Sequence, residues 1–511
     1  MNAVDLTLFA SRIEVVCEEM GARLQGAAFS PNIKDRLDFS CAVFDVNGEL
    51  CAQAAHIPVH LGSMAYAMRD IVTMLDWQAG DMVVLNDPYF GGTHLPDVTL
   101  IAPLFMEGKL VGFVANRAHH ADIGAESPGS MPISRSLEEE GLIIPPTHLM
   151  RGFAVDEQVF ATIIDRLQHG DQARGDFSAQ ISANQAGLSR LAELIESLGI
   201  ADFAVSLEKL NDYAARLASV ALADIPDGDY AFSDVMDDDG LGNQDLVISV
   251  NINVRGSEIN IDFTGTAAQT AGNINCPLSV AAAGVYYVFR CLMPAHTPAC
   301  AGSFRHLHLS APQGGVLNAT RPAAVAAGNV ETSTRVVDVI TGALAQAIPE
   351  RIPAASHGSM NNIAMGARGQ RPWDYYETLG GGMGAGAQGG GQSAVQTHMT
   401  NTLNTPIEVL EMNYPLRVSR YEIRRGSGGR GERNGGDGLI REYEFLAPAQ
   451  VTLLTERRRH QAWGLNAATN GQCGENRLND KLVPGKVSLD VRQGDTLLIA
   501  TPGGGAWSRP D

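Results

Sequence analysis

The stretch NDPYFGGTHLPDVTLIAPLFMEGKLVGFVANRAHHADIG, residues 86–124, contains a loop, a strand, a short turn and a second strand. The apolar runs DVTLIAPLF and VGFVANRA are typical of strands, and MEGKL between them supplies the glycine of a tight turn. Such a pair forms an antiparallel hairpin, which places the start of the first strand beside the end of the second. We therefore predict that Asp97 and His119 are neighbours in space, although 22 residues separate them.

The loop before this hairpin and the end of its second strand are rich in metal-binding side chains. Six of the 13 histidines lie between residues 56 and 148, and the hairpin brings His94, Asp97 and His119 together. Two imidazole nitrogens and one carboxylate oxygen, with further positions open, are a ligand set that binds a catalytic divalent metal. The alternative is a purely structural role, because a His-x-x-Asp pair also arises by chance in a chain of this composition.

Two further segments offer residues for the same site. Asp38, at the entrance of a predicted strand, is either a turn former or an additional metal ligand. His56 and His60 flank a proline just before a predicted helix, so they either cap and pack against that helix or line the pocket. The residues alone leave both questions open.

Helix and strand patterns alternate outward from the hairpin. Apolar residues at three- and four-residue steps predict an amphipathic helix over 4–27. Further helices are predicted over 60–75, 155–222, 279–293 and 330–348. Strands are predicted around the Asn-Gly turn that follows the first helix, after the long helical region, and over the last hundred residues.

These patterns predict an α+β fold with several sheets of largely antiparallel strands and helical insertions. It is either one elaborated unit or two to three subdomains. The predicted regions are 1–150, with the candidate metal site; 151–225, which is helical; 226–400, α+β with a glycine-rich tract; and 401–511, which is rich in strands.

The composition limits the classes of partner. The chain has 511 residues, with 37 basic and 57 acidic side chains and a formal charge of −20. Because this charge opposes contact with phosphate backbones and anionic lipid, we expect neither nucleic acid nor a membrane as partner. The seven cysteines form no CxxC pair, the N-terminal residues do not follow a signal-peptide pattern, and no run of 18 apolar residues occurs. We therefore expect a cytoplasmic protein.

Two segments have an unusual composition. The glycine tract LGGGMGAGAQGGGQ (379–392) contains a GxGxxG pattern, but glycines flank it where a strand and a helix should lie, so we predict no dinucleotide site. Its bare backbone would instead allow close approach of a substrate or a neighbouring subunit. The segment 414–438 carries six arginines, which either pair with local acids in solvent or contact a phosphorylated intermediate or an acidic partner.

Eight segments in order resemble the hydantoinase B/oxoprolinase family, which includes the large subunits of acetone and acetophenone carboxylases. The resemblance runs from about residue 36 to about residue 465, nearly the whole chain. The segments are RLDFSCAVFD (36–45), QAAHIPVHLGSM (53–64), NDPYFGGTHLPD (86–97), NRAHHADIG (116–124), IDFTGT (261–266), GNVETSTR (328–335), HMTNTLNTPIEVLE (398–411) and YPLRVSRYEIRRGSGG (414–429).

The resemblance implies a division of labour between two subunits. In this family an A-type subunit of the actin/sugar-kinase type binds ATP and phosphorylates the substrate oxygen, which agrees with the lack of a GxxxxGK[ST] motif here. The B-type subunit carries a metal site, whose ligands, matched motif by motif, are His94, Asp97 and His119. Asp38 is implied as a fourth ligand. The implied metal is Zn, Mn or Fe, and the implied assembly is a hetero-oligomer such as A2B2.

The implied reaction is the ATP-dependent hydrolysis of a small cyclic amide, such as hydantoin, 5-oxoproline or a related lactam, with a metal-activated water. An amide carbonyl is a poor electrophile because resonance delocalises the nitrogen lone pair, and phosphorylation of its oxygen activates it. From proximity in sequence we predict that His120 or Asp122 moves the proton. The phosphoryl group is predicted to be held by one of three arginines: Arg417, Arg424 or Arg425.

Two other functions are compatible with the resemblance. A carboxylase large subunit would combine bicarbonate with an enol phosphate, but carboxylase members tend to be longer and often need a third subunit, so 511 residues favour the hydrolase. A non-catalytic scaffold for the ATP-binding subunit would bind no metal and would tolerate changes at His94, Asp97 and His119.

Overall fold

The structure, a computed structural model, describes residues 3–54, 57–369 and 371–509. No helix within these ranges is long and apolar enough to cross a membrane. A π-helical turn, Gly328–Thr332, leads into one of the helices, and a 3-10 turn covers Leu137–Glu140. The α-helices are α1 (Ala3–Ala27), α2 (Pro31–Lys34), α3 (Pro58–Met74), α4 (Glu157–Ile164), α5 (Gly170–Leu198), α6 (Ile200–Leu222), α7 (Leu278–Leu292), α8 (Ser333–Leu344) and α9 (Ile407–Asn413).

The strands form four open sheets, and almost all neighbouring strands are antiparallel. The predicted α+β class is therefore confirmed. The strands are β1 (Phe39–Phe44), β2 (Leu50–Gln53), β3 (Met82–Leu85), β4 (Asp97–Met106), β5 (Lys109–His119), β6 (Thr147–Arg151), β7 (Ala154–Val155), β8 (Gly228–Asp238), β9 (Gln244–Arg255), β10 (Glu258–Asp262), β11 (Leu307–Ser310), β12 (Asn362–Ala367), β13 (Trp373–Glu377), β14 (Leu416–Arg424), β15 (Gly438–Phe445), β16 (Ala449–Leu454), β17 (Glu475–Leu478), β18 (Lys481–Val483), β19 (Lys486–Val491) and β20 (Thr496–Ala500).

Sheet 1 is built around the predicted hairpin. Its strand order is β2-β1-β5-β4-β3-β6-β7, so β4 and β5 lie near the centre. Glu107 and Gly108 in the connecting turn both have positive φ angles, 51° and 74°, which matches the tight turn of a two-residue hairpin. The register pairs Asp97 directly with His119. The predicted proximity of these two residues is confirmed.

The two faces of sheet 1 are covered by different helices. Val98 and Leu100 pack into a core with α1 and α5. Ile101 and Phe113 pack with α3 on the opposite face. Because successive side chains of a strand point to opposite faces, odd-numbered residues near the end of β5 face α3 and even-numbered residues face α5.

Helix α3 lies between sheet 1 and α7. At Gly62 in α3, an added Cβ would be 2.6 Å from the Cα of Ala283 in α7, so the two helix backbones are in close contact. Helices α7 and α8 also belong to a second core with sheet 2, whose strand order is β11-β10-β9-β8. This packing brings the second core against the α3 side of sheet 1.

Sheets 3 and 4 complete the fold. Sheet 3 has the order β13-β12-β16-β19 and sheet 4 the order β14-β15-β20-β17-β18. Sheet 3 therefore contains strands from both sides of residue 400, where a region boundary is predicted from the sequence. The four predicted regions otherwise stay predictions.

A largely buried ion cluster connects sheet 2, α8 and sheet 3. Arg457 lies 2.6 Å from both Asp234 on β8 and Asp338 on α8. Arg335 lies 3.3 Å from Asp338 and 3.3 Å from Glu456, which follows β16. Buried charges are tolerated only when each has a partner, so this cluster ties the three elements to one relative arrangement.

The glycine tract packs against other glycine-rich segments of the same chain. A Cβ on Gly382 would lie 2.0 Å from the carbonyl oxygen of Gly436 and 2.3 Å from the nitrogen of Gly504. The Gly436 N–H donates to the Met383 carbonyl at 2.8 Å, and the Gly504 N–H donates to the Gly436 carbonyl at 3.0 Å. At these positions the bare backbone serves internal packing, and the expected close approach of a substrate or a neighbouring protein is wrong there.

This packing predicts different effects for two Gly→Ala substitutions. In Gly436→Ala the new Cβ would meet the Gln392 carbonyl oxygen at 1.9 Å, so we expect a loss of about 1–3 kcal/mol or more in unfolding free energy. Gly389→Ala is the matched control from the tract, since no heavy atom lies within 4 Å of its added Cβ. Urea denaturation of both variants tests this expectation, and equal midpoints would contradict it.

Candidate metal centre

The candidate site lies where β1, β4 and β5 meet at one end of sheet 1. Asp97 is the first residue of β4 and His119 the last of β5. Asp38 immediately precedes β1, and its carbonyl oxygen accepts the His119 N–H at 3.0 Å. The short loop after Gly92 returns the chain to the same end and carries His94. Adjacent strand ends thus assemble residues that are distant in sequence.

The Asp97 carboxylate is the centre of a buried cluster. Its Oδ1 lies 3.1 Å from Nε2 of His94 and 3.1 Å from Nδ1 of His119. Each of these three side chains offers one ligand atom, and the three atoms lie within 4.8 Å of one another. Asp97 and His94 are 0% exposed and His119 is 2% exposed, so bulk water does not surround the cluster.

His60 is the third imidazole at this carboxylate. Its Nε2 lies 3.1 Å from Oδ2 of Asp97 and 3.9 Å from Oδ1 of Asp38. Pro58 starts α3, which places His60 in the first turn of the helix and directs it toward the end of sheet 1. Of the two alternatives left open by the sequence, the structure places His60 at the cluster. His56 lies outside the described residues.

Asp38 borders the cluster from β1. Its carboxylate lies 4.0 Å from the Arg36 guanidinium and 3.9 Å from His60. Within the described ranges, the group of ligand atoms that lie within 4.8 Å of one another contains His94, Asp97 and His119 without Asp38. A ligand role for Asp38 therefore stays a prediction.

The hydrogen bonds of His94 show that the cluster requires a positive charge. Its Nδ1 lies 3.1 Å from the Ala326 carbonyl, which only accepts, so Nδ1 carries the proton of a neutral ring. The Nε2 lone pair then faces an oxygen of Asp97, and Nε2 has no hydrogen-bond partner. The Nε2 of His119 is also buried without a partner. A cation among these atoms would relieve the repulsion, so the residues present fit a divalent metal.

The protonation equilibria agree with this requirement. Burial opposes the charge of Asp97, but the imidazoles of His60 and His94 outweigh it and hold the pKa of Asp97 well below its usual range. Burial would lower the pKa of His94, but the Asp97 charge raises it above its usual value. Burial lowers the pKa of His119, which favours a neutral ring near pH 7. Without a metal, a proton on His94 supplies the missing positive charge.

Two neutral donors complete the surroundings of Asp97. The Thr93 hydroxyl donates to Oδ2 at 2.7 Å, and Nδ2 of Asn329 donates to the same oxygen at 3.2 Å. Asn329 belongs to the π-helical turn before α8, an irregularity that is frequent at functional sites. Its segment, GNVETSTR, carries part of the family resemblance, but the sequence pattern gives none of its side chains a role.

The ring of His119 is held by an aromatic neighbour. It stacks on the Tyr376 ring with centroids 4.6 Å apart and an interplanar angle of 14°. The Tyr376 hydroxyl donates to Oδ1 of Asn362 at 2.6 Å, and Arg36 donates to the Tyr376 carbonyl at 2.6 Å. These contacts leave the His119 imidazole one orientation.

The structure does not bring His120 to the cluster. The residue after β5 points to the α5 side, where its Nε2 lies 3.0 Å from Oε1 of Gln180 and its ring packs on Phe177 at 4.8 Å. The physical reason is the two-residue period of a strand, which sends neighbours such as His119 and His120 to opposite faces.

Asp122 is occupied by backbone groups. Its Oδ1 accepts the Gly124 N–H at 3.0 Å, and its Oδ2 accepts the His169 N–H at 2.8 Å. It therefore shapes the loop after β5 and does not contact the cluster. The proton-transfer role that we predicted for His120 or Asp122 stays a prediction.

The three predicted phosphate-binding arginines lie in or just after β14 of sheet 4. Arg417 pairs with Glu444 at 3.1 Å on the surface. Arg424 donates to the carbonyls of Cys473 and Thr501 at 2.7 and 3.1 Å, and Arg425 is exposed. The structure gives none of them a contact with the cluster, and their phosphate role stays a prediction.

Comparison with known proteins places this geometry in a family. The sequence profile described as hydantoinase B/oxoprolinase matches residues 2–510. The chain is 37% identical over 548 residues to 5-oxoprolinase 1 of Arabidopsis thaliana, spanning 99% of this chain and 42% of that protein. It is 30% identical over 537 residues to a protein of Pseudomonas sp. (strain NS671) named as the B-type subunit of a D-/L-hydantoinase, spanning 100% of this chain and 90% of that protein.

Solved structures show the same fold. The ATP-dependent caprolactamase from Pseudomonas jessenii superposes with a TM-score of 0.92 at 26% identity, covering 99% of this chain and 91% of that chain. Acetone carboxylase, at 17% identity and a TM-score of 0.87, covers 100% of this chain and 76% of that chain and shows the fold alone. The resemblance found in the sequence is confirmed: this chain belongs to the hydantoinase B/oxoprolinase family.

Proposed function

We propose that this chain is the B-type subunit of an ATP-dependent amidohydrolase that opens a cyclic amide, such as hydantoin, 5-oxoproline or a related lactam. The buried cluster of His94, Asp97 and His119 is the observation that carries the proposal. It is supported by relatives whose names specify a hydantoinase component of the B type, a 5-oxoprolinase and an ATP-dependent caprolactamase.

In this proposal a partner supplies the activation by ATP. The chain contains no GxxxxGK[ST] motif, and it spans about two fifths of the 5-oxoprolinase relatives that it matches. We therefore assign ATP binding to an A-type subunit that phosphorylates the substrate oxygen, in a hetero-oligomer such as A2B2.

The metal-holding residues in this proposal are His94, Asp97 and His119, with Asp38 at the border of the set. A divalent ion such as Zn, Mn or Fe supplies a Lewis acid and lowers the pKa of water that it binds. The chain orients this set by the Ala326 carbonyl behind His94, by the Tyr376 ring against His119, and by the Thr93 and Asn329 donors at Asp97.

The protein surroundings favour attack on the activated amide carbon. Exclusion of bulk water strengthens every charge interaction at the cluster. A proton must leave the attacking water, and the groups that we propose for this step are His120 and Asp122. These residues act only if substrate binding releases them from Gln180 and from the backbone N–H groups that now hold them. His60 is the imidazole that already contacts the cluster, and its Nδ1 is free of partners.

The metal-binding proposal predicts the metal content of three variants. We expect about one divalent ion per chain in the native protein and a loss of at least about tenfold in affinity in His94→Ala and Asp97→Ala. His308→Ala is the control, since His308 is an exposed histidine on β11 that pairs with Glu258. Metal analysis after dialysis against a weak chelator measures the outcome. Equal metal content in all folded variants would contradict the assignment.

The reaction class is tested with the chain and its A-type partner together. We expect ATP hydrolysis coupled to ring opening of a cyclic amide without bicarbonate, and a loss of at least about 100-fold in Asp97→Ala. The measurement compares hydantoin, 5-oxoproline, caprolactam and acetone, each with and without bicarbonate. Incorporation of labelled bicarbonate into product would instead establish the carboxylase. Full activity of Asp97→Ala would support a scaffold role.

A further inference from the structure

Glu140 is a fully buried carboxylate that the proposed reaction does not use. It ends the 3-10 turn Leu137–Glu140 and is 0% exposed. No lysine or arginine of the described chain lies within 4.0 Å of it. A buried carboxylate without a cationic partner is costly, so its hydrogen bonds must stabilise it. Burial raises the pKa of Glu140 to about 7, against the lowering effect of those hydrogen bonds.

One oxygen of Glu140 carries all of these hydrogen bonds. The Oε1 atom accepts the Val325 N–H at 2.8 Å, the Ala326 N–H at 2.9 Å and the Ser134 hydroxyl at 2.7 Å. The Leu137 N–H also donates to the Pro322 carbonyl at 3.0 Å. The turn that contains Glu140 is therefore fastened along the segment 322–326.

That segment is the one that holds His94. The N–H of Ala326 donates to Glu140, and the carbonyl of the same residue accepts from Nδ1 of His94 at 3.1 Å. A metal-binding histidine commonly donates its other ring N–H to a carbonyl or carboxylate, which sets both the tautomer and the ring orientation. Here the carbonyl performs this task directly, and the carboxylate holds the residue that carries the carbonyl.

We propose that Glu140 is a positioning residue for the metal centre, which fixes the Ala326 carbonyl and through it directs the bare Nε2 of His94 at the metal position. This proposal rests on the proposed function and extends it to a residue 46 positions from His94 in sequence. Glu140 itself does not bind metal or substrate in this arrangement.

The test measures metal affinity of the full-length chain by chelator competition with Zn²⁺ and Mn²⁺. In Glu140→Leu the 325–326 segment loses its acceptor, so we expect affinity to fall about 10- to 100-fold. In Glu140→Gln an amide oxygen accepts the same three donors, so we expect affinity within about threefold of the native value. Rescue by Gln separates positioning from a requirement for the charge.

The chain offers a matched control for the general cost of losing a buried carboxylate. Asp176 is 2% exposed, and one of its oxygens accepts the N–H groups of Phe29 and Ser30 at 2.7 and 3.1 Å. Asp176→Leu removes the same kind of interaction on α5, with no link to His94. We expect a similar decrease in Tm for Asp176→Leu and Glu140→Leu, but a loss of metal affinity in Glu140→Leu alone.

Each outcome decides the proposal. Equal metal affinity in Glu140→Leu and Asp176→Leu would overturn the positioning role while leaving the metal centre intact. A native protein that binds neither metal would overturn the proposed function and this inference together. If Glu140→Leu does not fold, Glu140→Asp replaces it, because the side chain shortened by one methylene no longer reaches the 325–326 N–H groups. Native affinity in Glu140→Asp would then reject the proposal.

Discussion

The Asp97 carboxylate is fully buried and ionised, and much of the fold is arranged to stabilise its negative charge. Isolated in the interior, such a group would cost several kcal/mol. Three imidazoles lie 3.1 Å from its two oxygens, and two neutral donors bond to one of them. These groups come from the first strand hairpin, from α3 and from the turn before α8. The charge is therefore stabilised only when the sheet, the helix and the second core are together.

The contribution of the second core explains why the centre is not a property of sheet 1 alone. Ala326 and Asn329 reach the cluster from 232 residues away in sequence. The close contact of α3 and α7 at Gly62 sets the distance between the two cores. The ion cluster around Arg335 and Arg457 holds α8, which the π-helical turn precedes, against sheets 2 and 3. Parts of the protein far from the metal position thus determine its geometry.

Glycine has two separate roles in this fold. Some glycines adopt positive φ angles in turns, as Gly108 does between β4 and β5. The tract before residue 392 is different, because Gly382 lies in the space where backbones of the same chain meet. A glycine pattern shows that side chains are absent, but only the folded chain shows whether a ligand, another protein or its own backbone occupies the space.

The sequence by itself determined the local part of this protein. An antiparallel hairpin with a short turn has one natural register, so the pairing of Asp97 with His119 and the nearness of His94 were predictable, as were the α+β class and the long helices. Tertiary structure decided the rest. His60, Asn329 and Glu140 join the centre through packing between elements, for which local periodicity carries no information. His120 was misplaced because residues adjacent in a strand point to opposite faces, and the arginines of β14 because closeness in sequence to a motif does not establish closeness in space.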